Sequence, residues 1–565
     1  MSATSAIVTR CAATSTQVGC RAQNALRSGK DAVSEPGNST RELVSIPMTY
    51  SSAYHYTSGR KRALRPISKH PRNNSDYVLS SGPSVARSDL VKIVAAAIPE
   101  ATRRTAPIFV EEGGYGDILN AVSRTTDRYF QIPASAEEAL TPEDLEYLKA
   151  KGCFTLPENS GELVKAYFRY VHPTFPVIDA AQFLRQYAIT GLKGINLLLL
   201  WSMFSVSASY AAASPQKVYK KIYAHRAKYL FDLTQENDKI VLVQSALLLS
   251  FWFEDGEDVK QSWYWSSIAI SIAQTLGLHR DIKVVAAQTS IAQRSLWRNI
   301  WHCCLYRDVW LAFGMGRPLR IQTSDCIAFL PGDGIGCFSD ELVLHGEELY
   351  STQEAEGFGE SWKTLISLSS VLRDTIISEE WSPPRAEVLR AGLNARNIGF
   401  STNLLTRVHR HLQLHENAAT IAIARRGGFD EILLEAADRT TTILQALLDD
   451  QTSAYAAPNT IPLLVPAMVI YLGATRSNEN LAMNGAKEKL AIYSNFLTAL
   501  EDNYPAASIL RGIFRAAQKA VLSEESENQQ GNIDSRPVDR LISSDYRNLS
   551  GNEHFSWLAE GLYPS

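Results

Sequence analysis

From Gly161 to Leu522 apolar residues recur at three- and four-residue intervals in one segment after another. No run of alternating β-branched residues bounded by hairpin turns interrupts them. In GELVKAYFRYVHP, residues 161–173, Leu163, Tyr167 and Tyr170 form one such row and Val164, Phe168 and Val171 another. A chain with this period buries stripes rather than alternate faces, so the fold class it predicts is all-α, a large multi-helix body of about a dozen helices. No fixed period of 30–45 residues repeats in the sequence, which argues against a regular solenoid.

The punctuation places the helices. His172-Pro173 ends the first, because the residue before proline is pushed out of the α region. Asp179, with Gln182 three residues on, reads as the cap opening AAQFLRQYAI. Ser214-Pro215 reads as an N-cap and first-turn proline before a helix through Leu233. Residues 240–253 are apolar nearly all round, hence buried. Residues 261–276 are amphipathic and stop at Gly277. A long helix is predicted over 290–313, with Trp297, Trp301 and Leu305 on one stripe and Gly314 at its end. Further helical stretches fall at 361–381, 385–399, 401–425, 430–449, 461–475, 480–500 and 505–522.

Residues 1–107 have another character. They are rich in Ser, Thr, Pro, Asn and Arg, and carry 15 Lys and Arg against 6 Asp and Glu, whereas the whole chain has 56 against 59. A basic head on an acidic body suggests an anionic partner for the head, and its composition predicts disorder. Its densest basic patch is Arg60, Lys61, Arg62, Arg65, Lys69 and Arg72, which fits an import signal or contacts to a DNA backbone. The expected organisation is a disordered basic head over 1–107, a helical regulatory domain over 108–522 and a polar tail over 523–565.

The seven cysteines are odd in number, irregularly spaced and never C-x-x-C, so they read as free thiols rather than a disulfide framework. The first 30 residues lack the apolar segment of a signal peptide. The best candidate for a membrane span, 194–213, contains Asn196 and several serines and reads as a buried core helix instead.

Chemistry is sparse. G-x-S-x-G, G-x-x-x-x-G-K-[ST] and H-E-x-x-H do not occur. Gly332, Gly334 and Gly336 follow a Leu-Pro pair rather than a strand and read as a turn. His411 and His415 share a helical face and could grip a metal, but with Arg407, His409, Arg410 and Glu416 nearby the stretch reads as a solvated face. Glu254, Asp255, Glu257 and Asp258 read as a charged loop, and Asp449-Asp450 lacks the third carboxylate of a D-D-x-x-D magnesium helix. Trp263, Trp265, Trp297, Trp301 and Trp310 read as core, with an aromatic ligand cavity as the alternative. No catalytic or metal-binding residue emerges, and no enzymatic activity is expected.

Three ordered blocks resemble a known family. GELVKAYFRYVHPTFPVIDAAQFL (161–184) resembles the opening of the fungal-specific transcription factor domain, the helical regulatory region of fungal zinc-cluster regulators. QSWYWSSIAISIAQTLGLHRD (261–281) resembles that family's helix ending in Gly-Leu-His-Arg. In residues 294–331, Arg307-Asp308, Gly316-Arg317-Pro318, Asp325 and Leu330-Pro331 fall in the family's order. Upstream, Tyr115-Gly116 and PEDLEYLKAKGCFTLP (142–157) resemble the cutinase-regulator branch.

The resemblance implies a nuclear transcriptional regulator of a metabolic or secondary-metabolite gene set. Its implied partners are DNA, the transcription machinery and a small-molecule effector. His172, Pro173, Arg307, Asp308, Arg317, Pro318 and Asp325 become structural motif residues, with Arg317 expected to donate to helix-end carbonyls and to pair with a carboxylate. Family members normally carry six cysteines around two zinc ions, and residues 1–152 here hold only Cys11 and Cys20. No zinc is therefore expected, and DNA is expected to be held weakly or through a partner regulator. Two other readings are a helical ligand-sensing or scaffold protein without a DNA role, and an all-α metabolic enzyme.

Overall fold

The computed structural model describes residues 105–109, 129–133, 140–210, 216–233, 238–253, 261–280, 290–322, 338, 342–344, 347–377, 402–475 and 480–530. The basic patch Arg60 to Arg72, the carboxylates at 254–258, Asp325, the glycines at 332–336 and the helix expected over 385–399 lie outside the described residues. All described residues belong to one compact unit spanning Val85–Ser565.

Fourteen α-helices make up most of the described residues. They are α1 (Pro142–Ala150), α2 (Ser160–Ala166), α3 (Ala180–Thr190), α4 (Leu197–Ser207), α5 (Gln216–Leu233), α6 (Lys239–Leu249) and α7 (Ser262–Thr275). After them come α8 (Ile291–Met315), α9 (Thr352–Ile377), α10 (Asn403–Gly427), α11 (Asp430–Asp449), α12 (Thr460–Ala474), α13 (Asn480–Leu500) and α14 (Pro505–Gln530). Two antiparallel ribbons were not legible in the sequence: β1 (Thr105–Phe109) with β2 (Tyr129–Pro133), and β3 (Leu342–Leu344) with β4 (Glu347–Tyr350). Strands of three to five residues are too short to display an alternation.

Sequence neighbours are spatial neighbours, the usual result of short connections. Helix α4 packs on α5 and α6, α7 on α6, α8 on α7, α9 on α8, and α10 on α9. Helices α11 and α12 then cover α10, and α13 and α14 follow in turn. Helix α4 is buried from Leu198 to Ser207, as its all-round hydrophobicity requires. Among the described residues no single helix is long and apolar enough to cross a membrane.

The local signals mostly behave as their chemistry dictates. The Asp179 carboxylate accepts the Gln182 N–H at 2.9 Å and opens α3. Gly277 takes φ +69° just after α7. Helix α8 passes the expected stop at Gly314 and ends at Gly316, whose left-handed φ of 62° accepts the cap. Gly314 serves a different purpose, because a Cβ there would lie 2.9 Å from the Pro462 side chain of α12. Glycine is what allows α8 and α12 to approach so closely.

Candidate functional site

Proline 173 shapes the site's first wall. Helix α2 widens into a π-turn over Tyr167–Val171 and tightens into a 3₁₀ turn over His172–Thr174. In a continuing α-helix the carbonyl of Arg169 would accept the N–H of residue 173, and proline has none. Arg407 of α10 supplies the missing donor: Nη2 lies 3.4 Å from the Arg169 oxygen and 3.1 Å from that of Tyr170. Its Nη1 reaches the Tyr455 carbonyl at 3.5 Å.

The guanidinium sits among tyrosines. Tyr170 is stacked between Tyr210 and Tyr455, with centroid separations of 5.3 and 5.0 Å and interplanar angles of 26° and 22°. Arg407 lies 5.2 Å from the Tyr170 centroid, a cation–π distance. Burial lowers the Arg407 pKa from its ordinary value, and the neighbouring Tyr210, Tyr170 and Tyr504 oppose that shift.

Beside this stack lies a small cavity of about 20 Å³, room for a single water. Tyr170, Thr174, Phe175, Tyr210, Tyr306 and Asn459 are among its lining residues. No tryptophan lines it: Trp265, Trp301 and Trp310 are buried in packing.

The wall formed by Tyr306 and Asn459 continues into a buried hydrogen-bonded chain. His415 Nδ1 lies 2.8 Å from the His411 carbonyl, which can only accept, so Nδ1 carries the proton. Its Nε2 therefore accepts from the Tyr306 hydroxyl at 3.0 Å, and the Tyr306 oxygen accepts from Asn459 Nδ2. The chain links α8, α10 and the turn before α12. Trp310 packs edge-on to the His415 ring at 4.4 Å and donates to Ser369 of α9 at 2.9 Å.

Burial holds the His415 imidazole down to about 4 and pushes the Tyr306 phenol well above its usual range. At neutral pH His415 is therefore uncharged and Tyr306 keeps its proton. The chain thus orients side chains rather than performing acid–base chemistry.

These histidines correct the sequence reading. His411 and His415 are 8% and 0% exposed, not solvated. Both nitrogens of His415 are engaged by protein groups, so the pair has no free ligand face. The overlooked signal was register, since Leu404, Val408, His411, His415 and Ala418 are spaced four, three, four and three, one continuous stripe of α10.

The described motif residues lie on separate elements and meet different neighbours. His172 and Pro173 are buried, the His172 ring 5.2 Å from Phe338. Arg307 and Asp308 are adjacent on α8 and nearly unexposed, yet they serve different neighbours. Arg307 donates to the Ser250 hydroxyl at 2.9 Å and carbonyl at 2.5 Å, closing the C-terminal end of α6, and lies over Phe251. Burial pushes its guanidinium down to about 10.

Asp308 accepts the backbone N–H groups of Ile321 at 2.9 Å and Arg320 at 3.1 Å, clasping the segment that follows α8. Burial raises its carboxyl, and those same N–H groups pull it back. Arg320 lies 3.8 Å from Asp308 and 3.2 Å over the Trp263 ring and donates to the Trp263 carbonyl at 2.9 Å. Arg317 lies 5.1 Å from the same ring, and the neighbouring Pro318 is exposed.

The comparisons with known proteins converge on one class. Residues 164–410 match the fungal specific transcription factor domain. The chain is similar to cutinase transcription factor 1 beta of Fusarium vanettenii, 35% identical over 216 residues, which is 35% of this chain and 24% of that protein. It is also similar to the acetamidase regulatory protein of Aspergillus oryzae, 33% identical over 34% of this chain and 26% of the relative. A third is the fusaric acid cluster transcription factor of Fusarium oxysporum, 24% identical over 32% of this chain and 27% of the relative. The matches span about a quarter of these relatives' length.

Proposed function

We propose, from the match of residues 164–410 to the fungal specific transcription factor domain, that this chain is a non-enzymatic regulator of transcription whose helical unit is the regulatory part. The family match is the observation that carries the reading. Relatives named for cutinase, acetamidase and fusaric acid support control of a metabolic or secondary-metabolite gene set. The nucleus is the corresponding place of action, and the transcription machinery the corresponding partner.

DNA contact, in this reading, is weak and made by backbone charge, or runs through a partner regulator. Two cysteines in residues 1–152 cannot supply six zinc thiolates. Arg60, Lys61, Arg62, Arg65, Lys69 and Arg72 are the residues proposed to meet phosphates or an import receptor. In this reading an effector would sit at the tyrosine-lined cavity, whose wall includes residues 457–459.

The test is to fuse the full chain to a heterologous DNA-binding module and follow a reporter carrying that module's site. A changed transcript level supports the proposal. A nuclear, stably expressed fusion that leaves the reporter unchanged overturns it. Metal analysis and competition binding of the purified chain test the DNA part. Two zinc ions per chain, or strong preference for one DNA sequence without a partner, would reject that part alone.

A further inference from the structure

The segments that wall the tyrosine-lined cavity share a compositional feature. Residues 163–178, 180–231, 239–253, 291–307 and 451–478 supply its lining side chains, and none of these segments contains an Asp or a Glu. The same holds for 398–415, which brings Arg407. Lysine or arginine occurs in every one of them.

Two cations stand behind that wall, and among the described residues no carboxylate answers them. Arg407 gives its Nη atoms to carbonyls and packs on the lining residue Tyr170, while its Nε is buried without a hydrogen-bond partner. Lys220 of α5 is 7% exposed, its ammonium 3.3 Å from the Asn503 carbonyl and 4.2 Å from the Tyr504 ring centroid. The Tyr504 hydroxyl donates to the Ala456 carbonyl at 3.0 Å, beside lining residues 457–459, and Tyr504 shares a hydrogen bond with the lining residue Tyr210. Burial pulls Lys220 down to about 7 and lowers Arg407, the response of cations taken out of water. The acids nearby are engaged elsewhere. Asp450 pairs with Arg410 at 2.7 Å, Glu501 pairs with Arg511, and Asp308, two residues past Tyr306, serves Arg320 and the 320–321 amides. Asp502 is exposed, and Glu254, three residues past Phe251, lies outside the described residues.

A buried cation is costly unless an anion meets it, so two of them beside an acid-free cavity favour a negatively charged occupant. The cavity's volume, that of one water, suits a single carboxylate oxygen, and the cavity is part-open, so the rest of a ligand can extend beyond it. Phe175, Phe251, Val171 and Val206 complete the lining. A hydrated inorganic ion gains nothing from such walls, whereas a carboxylate carried on a flat apolar body does. We propose that this cavity binds a small organic carboxylate. One carboxylate oxygen takes the water-sized space, the negative charge answers Arg407 and Lys220, and the apolar body lies against the aromatic wall. The proposal names the chemical class of the effector and rests on the regulatory reading above for its biological meaning, but its binding is measured without transcription.

The experiment is calorimetric titration of the full 565-residue chain with benzoate, with its neutral isostere benzamide and with inorganic phosphate, all at one ionic strength. Benzoate is expected to bind with a Kd of about 1 mM or tighter, at least about tenfold more tightly than benzamide, and phosphate should not displace it. Lys220→Met removes a buried charge without stranding a carboxylate, so the fold should stand while benzoate affinity falls about threefold or more and that of benzamide stays. Arg407→Met should cost about tenfold or more. Ala457→Leu fills the cavity and should abolish benzoate binding. Circular dichroism checks that each variant is folded, and should Arg407→Met fail that check, the other two decide.

No benzoate binding up to about 20 mM overturns the proposal. So does benzamide binding as tightly as benzoate, or phosphate displacing benzoate at equal concentration. Benzoate affinity unchanged in Lys220→Met or in Ala457→Leu also overturns it. A reporter that stays silent in the fusion assay while benzoate binds as expected overturns the transcriptional reading and leaves the carboxylate site in place, so the two fail separately.

Discussion

Arg407 donates to the main-chain carbonyl of Arg169, 238 positions away, the acceptor that Pro173 strands by lacking an N–H. The same side chain bonds Tyr170 and Tyr455, so one guanidinium ties the end of the α2 π-turn to α10 and to the chain before α12. Three carbonyls in different directions call for a planar, many-donor group, and a lysine ammonium has neither the span nor the fork.

Arg407→Met should therefore destabilise the protein by about 2–3 kcal/mol, the loss of charge-assisted hydrogen bonds to partly buried acceptors. Arg407→Lys should recover less than half of that. Thermal melts of the three proteins check it. A lysine variant as stable as the parent would show that charge alone, without the fork, suffices.

Tyr306→Phe removes one oxygen and leaves two buried groups, His415 Nε2 and Asn459 Nδ2, without their strongest partner. The expected cost is about 1–3 kcal/mol. Combined with His415→Phe the two changes should be non-additive, with a coupling of about 0.5–3 kcal/mol. Additive denaturation free energies would mean the contact contributes nothing beyond packing.

Asp308→Asn keeps the shape of the clasp but turns an acceptor-only group into one that presents N–H toward the Arg320 and Ile321 amides. A loss of about 1–3 kcal/mol is expected. The damage should be local first, so amide exchange at Arg320 and Ile321 should quicken before that of α8. Unchanged exchange at those two amides would contradict the clasp.

Acid should weaken the fold. His302, His411 and His415 are buried, and burial holds all three below the ordinary 6.5, His302 and His415 at about 4. Between 6.5 and 4 the unfolded chain binds protons that the folded chain refuses, so their contribution is complete above 6.5 and is lost as pH falls. Glu416 acts oppositely: burial raises its carboxyl from 4.5 to about 7, and the stability that brings is lost as pH rises through that range. Three groups outweigh one, so the melting temperature should be lower at pH 5 than at pH 7. An equal or higher value at pH 5 would mean these histidines reach water.

The helices were legible because a 3.6-residue period survives in long segments, and so were caps such as Asp179, whose chemistry is local. What sequence reasoning missed is what distant segments do to one another. His411 and His415 look polar beside Arg407 and Arg410 until the apolar stripe of α10 is traced through them. Arg407 belongs to a proline in another helix, a pairing that no spacing encodes. The motif Arg307-Asp308 was recognisable as a family pattern, yet its partners, Ser250 and the 320–321 amides, follow only from how α8 lies against α6 and its own outgoing chain.

Arg307 and Asp308 are consecutive on α8, so their side chains leave the helix about 100° apart. One holds a neighbouring helix end and the other the returning chain, and the pair therefore works as a fixed protractor. Substitutions elsewhere on α8 leave that angle intact, whereas inserting or deleting a single residue upstream in the helix turns the whole pair away from both targets. This stretch should thus tolerate changes of residue type far better than changes of length. Across related sequences, insertions and deletions should stop short of α8 even where identity has faded.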